Sequence, residues 1–297
     1  MMAKSMSSMR LKSQVRDERV REITTGAPMT NNLKLMCVLA HPDDESLGTG
    51  GILAKYAAEE VETYLMTATR GERGWLGSVE EYPGAEALGK IREAELFAAT
   101  AVLGLRRVEF LDYLDGELDQ AQPAEVIAKI VEHLRRVKPD VVVTFGPDGG
   151  YGHPDHVAIS QLTTAALAAA ADTDAPFCRE LPAHRVSKFY YLVTTHELAS
   201  VYQSVFGHLV MSIDGMERGV VAWPDWAITT RIDTWDYWHI VWQAVRCHRT
   251  QLPAYQALEQ VSEEQHRILW NSQTYYRVYS LVNGGRGVED DLFAGLR

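Results

Sequence analysis

Cysteine is scarce in this 297-residue chain. The three present, Cys37, Cys178 and Cys247, form no C-x-x-C pair and leave one over if two are joined, which excludes a disulfide framework and predicts reduced thiols in a cytoplasmic protein. Cys37 lies inside an apolar run and reads as a small core residue rather than a nucleophile. Basic residues are also short. The 29 Lys and Arg against 40 Asp and Glu leave a formal charge of −11, the wrong sign for a nucleic acid or an anionic membrane, both of which are bound mainly through Lys and Arg. No apolar run approaches the ~18 residues that a membrane span needs. A dinucleotide fingerprint is missing too: Gly48, Gly50 and Gly51 do not meet the G-x-G-x-x-G spacing and Lys55 is no Walker lysine, so these small residues read instead as a helix packed closely on a sheet. Met1 to Thr30 is charged and rich in Met and Ser without a continuous apolar core, unlike a secretory signal. Residues 1–32 are expected to form a poorly ordered or partner-docked extension, and 33–297 a single domain. The acidic surface and a tryptophan-rich segment are compatible with a homo-oligomer.

What remains is an ordinary globular composition, 46% hydrophobic and 23% charged, arranged around His41-Pro42-Asp43-Asp44-Glu45. This pentapeptide closes the apolar run Leu35 to Ala40 and opens a small-residue helix. Short apolar runs bounded by turn residues read as interior strands of a parallel sheet. Further strands are predicted at Val61–Thr69, Arg107–Leu111, Pro139–Phe145, Phe189–Val193, Ile228–Ile232 and Tyr275–Leu281, with helices over Glu86–Val102, Pro123–Val137 and Val157–Ala171. Arg92 and Glu95, three apart, are placed to pair on one helix face. Strands alternating with helices imply a right-handed, mostly parallel, Rossmann-like α/β sheet with helices on both faces. Five of the seven tryptophans fall between Trp223 and Trp242, and Trp235, Trp238 and Trp242 stand at helical spacing; such a stripe reads as core or subunit interface.

Chemistry concentrates at the carboxyl ends of strands, where open α/β sheets bind ligands. The strand ending at Phe145 leads into Tyr151-Gly152-His153-Pro154-Asp155-His156, a second H-P-D turn far from the first. One such turn means little, since Pro and Asp are good turn residues; two at matching strand ends are hard to dismiss. One imidazole and three carboxylates crowded on the first turn repel one another unless a cation joins them. His41, Asp44 and His156 supply the two-His, one-carboxylate set of a catalytic zinc site, with one position left for water. Asp43 is then free to act as general base, His153 as the acid that stabilises an oxyanion and protonates a leaving amine, and Asp155 as the carboxylate that orients an imidazole. One Zn2+ per chain is expected, with Fe2+ or another divalent ion as substitutes, and the reaction class is metal-assisted hydrolysis of an amide or ester. The polar loop Thr69 to Gly84 is long enough for a binding loop, with Arg70 and Trp75 as substrate contacts, and Asp115, on the loop after the third strand, is placed with them.

At these residues the chain resembles the LmbE-like, or PIG-L, family of metal-dependent N-deacetylases. The matching stretches are Ala40 to Glu45 with Gly50-Gly51, Arg92-x-x-Glu95-Leu96 ending in Leu103-Gly104, Tyr151 to His156, and His248-Arg249-Thr250-Gln251. The resemblance implies a Rossmann-like fold in which zinc hydrolyses the N-acetyl group of a glucosamine-containing small molecule. It implies His41, Asp44 and His156 as metal ligands, Asp43 as base, His153 as acid with Tyr151 assisting, Arg92 as a substrate-contacting arginine, and His248 near the site. Within the same chemistry an amidase acting on another N-acyl group or a thiol conjugate is an alternative. From other classes, a non-haem Fe(II) oxygenase also uses two His and a carboxylate, and a non-catalytic metal- or sugar-binding module could carry the same residues.

Overall fold

The structure, a computed structural model, describes residues 32–207, 210–213, 215–285 and 287–297. The extension expected over 1–32 lies outside the described residues except for Asn32. Seven strands form one sheet: Lys34–Leu39 (β1), Glu62–Thr67 (β2), Arg107–Phe110 (β3), Val141–Phe145 (β4), Lys188–Leu192 (β5), Thr230–Asp233 (β6) and Ser272–Ser280 (β7). Their order is β6-β7-β5-β4-β1-β2-β3. The pairs β3-β2, β2-β1, β1-β4 and β4-β5 are parallel. The predicted parallel α/β sheet is therefore present, and the direction of winding reverses between β1 and β4, the crevice where such sheets bind ligands.

The sequence explains the centre of the sheet. Leu35 to Ala40 and Val141 to Val143 are wholly buried, as continuous apolar runs must be when helices cover both faces. The longer helices are Asp44–Ala58 (α1), Ala85–Leu103 (α2), Pro123–Val137 (α3), Pro154–Ala171 (α4), His196–Phe206 (α5), Trp238–Val245 (α6) and Glu263–Trp270 (α7). Helix α3 begins on a proline, which gives up an N–H that would be unpaired there anyway. Helix α2 stops at Gly104 in a left-handed conformation. Arg92 and Glu95 on α2 do not pair with each other: Arg92 donates to the carbonyls of Gly71 and Pro42, and Glu95 accepts from Thr250. Both side chains reach loops across the helix, and each finds a partner there that a neighbour on its own helix would not improve. Among the described residues no helix is long and apolar enough to cross a membrane.

The far edge departs from a simple parallel alternation. Strand β7 inserts antiparallel between β5 and β6, and the chain after it returns to lock that edge. Glu289 accepts from Lys188 at 2.8 Å, from the Tyr190 hydroxyl at 2.8 Å and from Asn283 at 2.6 Å, and pairs with Arg277 at 2.7 Å. The predicted tryptophan stripe splits: Trp238 and Trp242 pack around His266 and Trp270, whereas Trp235 sits in the preceding 3-10 turn, Trp235–Tyr237.

Burial raises the Glu289 carboxyl, but the hydrogen bonds from Lys188, Asn283 and Tyr190 outweigh it and bring its pKa down to about 2. A carboxylate depressed in the folded state adds stability above its unfolded pKa, and that contribution is lost as pH falls. Stability of the wild type is expected to drop between about pH 4.5 and pH 2 in part through this group. Glu289→Ala, which leaves the buried Lys188 ammonium unpaired, is expected to cost about 3 kcal/mol at pH 7 and to flatten that acid limb, as read by urea unfolding at a series of pH values.

Candidate active site

The carboxyl ends of β1, β3 and β4 deliver the site. After β1 the chain turns through His41 and Pro42 into α1; Asp43, at the helix N-cap, has φ 107°, a left-handed value that is rare for a residue with a side chain. Asp44 folds back so that Oδ2 accepts the backbone N–H of Ala40 at 3.2 Å and of His41 at 2.7 Å. After β4, a short turn containing Gly149, Gly150 and Gly152, all at positive φ, carries Tyr151 and leads through His153 into α4 with Asp155 and His156.

Two imidazoles meet at the centre, each with its far nitrogen already engaged. His41 Nε2 lies 3.1 Å from Asp155 Oδ2 and 3.1 Å from Asp115 Oδ1, so its N–H points at carboxylates. His156 Nδ1 lies 3.1 Å from the Gly149 carbonyl, which can only accept. These partners assign the tautomers. The remaining nitrogens, His41 Nδ1 and His156 Nε2, face each other at 3.1 Å, with Asp44 oxygens 3.8 Å from the first and 3.4 Å from the second. The two nitrogens thus face each other with a different Asp44 oxygen beside each, which requires a proton or a cation between them. The spacing suits a cation: ligands about 2.0–2.1 Å from a tetrahedral metal are about 3.3 Å from each other. His41 and His156 can therefore hold a divalent ion with Asp44 beside them, and one nitrogen each of His41, His153 and His156 lie within 4.8 Å of one another, so His153 is a further candidate ligand. Burial would keep His41 neutral, but Asp115 and Asp155 lift its pKa to about 10; burial and the neighbouring His41 push His156 well below its ordinary value.

Beside this centre Asp43 faces a cavity of about 770 Å³, whose wall includes Arg92, Asp115, Tyr151, His153 and Tyr255. The Tyr255 hydroxyl donates to Asp43 Oδ2 at 3.1 Å, and Arg92 Nη2 stands 3.4 Å away. Burial raises the Asp43 carboxyl to about 6 despite Arg92. Arg92 lies so close to Gly71 and Gly74 that a Cβ on either would come within 2.2 Å of its Nη1, so a side chain at either position would displace the guanidinium. Beneath the floor, Glu45 is fully buried; its Oε2 accepts the Asp43 N–H at 3.0 Å and its Oε1 lies 2.7 Å from His248 Nε2, with Ser46 donating to the same oxygen.

The structure thus brings together His41, Asp43, Asp44, Asp115, Tyr151, His153, Asp155, His156 and Arg92. It does not bring Arg70, Trp75 or His248 to the cavity. Arg70 pairs with Glu93 and Asp112 and covers the Phe110 ring, and the Trp75 indole donates to the Ser78 carbonyl within its own loop; carboxylates and backbone near at hand satisfy both. His248 is buried against Glu45. Asp155 orients His41, whereas toward His153 it offers its backbone N–H, accepted by Nδ1 at 3.2 Å. Asp115 is bonded to His41 as well as facing the cavity. Sequence reasoning missed Tyr255, four residues past the His248 to Gln251 motif, and gave Glu45 no partner of its own.

A family model described as PIG-L, GlcNAc-PI de-N-acetylase, matches residues 36–167. A 1D-myo-inositol 2-acetamido-2-deoxy-alpha-D-glucopyranoside deacetylase from Rhodococcus jostii is 36% identical over 245 residues, 74% of this chain and 82% of that one. The chain belongs to the PIG-L family. A mycothiol S-conjugate amidase from Streptomyces coelicolor is 29% identical over 91% of this chain and 99% of its own length. In fold, this PIG-L protein is similar to the N,N'-diacetylchitobiose deacetylase from Pyrococcus horikoshii, with a TM-score of 0.62 over 86% of this chain and 88% of that one at 20% identity. It is an amide hydrolase of the N-deacetylase type, in a family whose deacetylases depend on a metal, and the oxygenase and non-catalytic alternatives fall away.

Asp44→Ala and His156→Ala are expected to abolish stoichiometric binding of a divalent metal. Asp155→Asn and Asp115→Asn, which leave the ligands but weaken the acceptors on His41, should lower affinity by about 10–100-fold. Competition with a chromophoric chelator measures both; unchanged affinity in the Asn variants would remove these carboxylates from any role at the centre.

Proposed function

We propose that this PIG-L enzyme is a zinc-dependent deacetylase that releases acetate from an N-acetylglucosamine-type sugar carried on a larger small molecule. The observation that supports it is the facing of His41 Nδ1 and His156 Nε2, with an Asp44 oxygen beside each, next to a buried carboxylate with a raised pKa. His41, Asp44 and His156 would hold the zinc, which would supply a Lewis acid for the amide carbonyl and lower the pKa of a bound water to about 7.

The chain's own residues do the rest. Asp43 accepts the proton of the attacking water: with a pKa brought to about 6 by burial, it is ionised at neutral pH and still basic enough to be effective. Tyr255 and Arg92 hold its Oδ2, so the oxygen is aimed before substrate arrives. Burial and the surrounding carboxylates keep the Tyr151 hydroxyl protonated, a donor for the oxyanion that develops on the amide oxygen. His153 accepts the Asp155 N–H through Nδ1, which puts its own proton on Nε2 as a second donor for the oxyanion, and the departing amine takes up the proton that Asp43 drew from the water.

The substrate reading is supported by the Rhodococcus jostii relative, which deacetylates an inositol glycoside of N-acetylglucosamine, and by the cavity. At about 770 Å³ it stands well up in the range of ~300–1,000 Å³ typical of small-molecule sites. Its wall away from the two turns is largely apolar, with Leu76, Leu192, Val220 and Pro253. A single sugar leaves much of that wall uncovered. The same room, together with the near full-length likeness to the Streptomyces coelicolor amidase, favours as a second reading an amidase on a bulkier N-acyl conjugate.

Asp43→Ala is expected to lower acetate release by at least about 100-fold while zinc content is unchanged, measured on the same preparation. N-acetylglucosaminyl conjugates bearing a second ring should exceed free N-acetylglucosamine in kcat/KM by about tenfold or more. Cleavage of larger N-acyl conjugates without acetate release from any of them would favour the amidase reading.

A further inference from the structure

The chain between α4 and β6 matches none of the motifs that identify the family, yet it grips the turn that carries Tyr151 and His153. Two short strands, Val210–Ile213 and Met216–Gly219, form a hairpin, and the chain runs on through Val220 to a two-residue pairing of Ala222–Trp223 with Thr194–Thr195, just past β5. Along this path three hydrogen bonds reach the catalytic turn. Arg218 Nη1 donates to the Gly152 carbonyl at 2.5 Å. The Val221 N–H donates to the Gly150 carbonyl at 2.8 Å. Trp223 Nε1 donates to Asp148 Oδ2 at 2.7 Å, while Asp148 Oδ1 accepts the Gly150 N–H at 2.7 Å. Residues 218, 221 and 223 thus meet 152, 150 and 148 in turn, the running order of an antiparallel pair.

The turn needs such a grip. Three of its four residues, Gly149, Gly150 and Gly152, have positive φ, and Tyr151 between them is extended in φ. Glycine has more conformational freedom than any other residue, and the bonds this stretch makes within itself are few: Gly149 N–H to Gly146, Gly150 N–H to Asp148 Oδ1 and Gly152 N–H to the Asp148 carbonyl. A side chain that must meet a developing charge within a fraction of an ångström cannot ride on so loose a support. The fit at Gly152 is close as well, since a Cβ there would sit 3.2 Å from Arg218 Cδ. Trp223 is in turn held by its contact with the Tyr276 ring on β7, so the grip is anchored to the sheet.

We propose that Arg218 and Trp223 are positioning residues for the hydrolysis, fixing the Asp148 to Gly152 turn so that Tyr151 and His153 face the reacting amide. The inference rests on the roles given above to Tyr151 and His153. Neither Arg218 nor Trp223 lines the cavity or the metal centre, so their removal leaves the ligands and the substrate wall in place.

The test uses the full chain loaded with zinc. In Arg218→Ala, kcat for acetate release should fall about tenfold, with KM and zinc content within twofold of wild type; Arg218→Lys, which keeps one donor, should recover much of the loss. Trp223→Phe keeps the ring and removes only the N–H, and serves if the alanine variant does not fold. Amide hydrogen exchange in the peptide spanning 146–153 should quicken about tenfold in Arg218→Ala while the peptide covering β1 is unchanged. Unaltered kcat, a loss expressed wholly in KM, or unaltered exchange would each overturn the proposal. If wild type releases no acetate from any substrate, the deacetylase reading fails; the exchange measurement still decides whether Arg218 restrains the turn.

Discussion

The site depends on how one imidazole is shared. His41 turns Nε2 to two carboxylates, Asp115 from the end of β3 and Asp155 from the start of α4, and Nδ1 to His156 and Asp44. Through a single five-membered ring the ends of three strands are therefore mechanically and electrostatically joined. Two carboxylates on one N–H make that imidazole a strong electron donor on its other face, and the Gly149 carbonyl does the same more weakly for His156. The arrangement is worth its repulsion only if positive charge sits between the rings.

A second constraint lies under the first. Asp43 stands at φ 107°, a conformation that costs of order 1–3 kcal/mol for a residue with a Cβ. It persists because Glu45 Oε2 accepts its N–H from below, Arg92 holds the preceding Pro42 carbonyl, and Tyr255 takes its carboxylate from the cavity side. Glu45 is in turn a buried charge, kept ionised against its burial by His248 and Ser46. The strained residue is the one to which the chemistry gives the most exacting task, and two of the three compensating bonds, from Arg92 and Tyr255, come from remote parts of the chain.

How much of this was legible in the sequence follows from the range of each interaction. The two H-P-D turns and the apolar runs before them are local patterns, so β1, β4, the crevice between them and the residues it gathers could be read off directly. The edge could not: nothing in Ser272 to Ser280 tells whether it adds parallel or antiparallel, or that it inserts between β5 and β6. Arg70 and Trp75 were placed on substrate because a polar loop at a strand end does not disclose which of its side chains turn inward; Glu93, Asp112 and Ser78 decide that. Asp155 reads from sequence as a carboxylate that orients an imidazole, but which imidazole is decided by the start of the helix, which turns it to His41. Tyr255, Arg218 and Trp223 act across 212, 66 and 75 residues of chain, and no short pattern announces them.

The division between these two kinds of residue is also a division in the order of synthesis. The residues placed to hold a metal, from His41 to His156, are translated first, and β1 to β4 with α1 to α4 are complete by Ala171. The parts that discipline the chemistry, namely the hairpin on the catalytic turn, the histidine under Glu45 and the tyrosine on Asp43, are all translated later. Since a domain generally folds as a unit, the residues gathered early in the chain wait for the clamps that make the base effective. Competence for hydrolysis therefore arrives only at the end of translation.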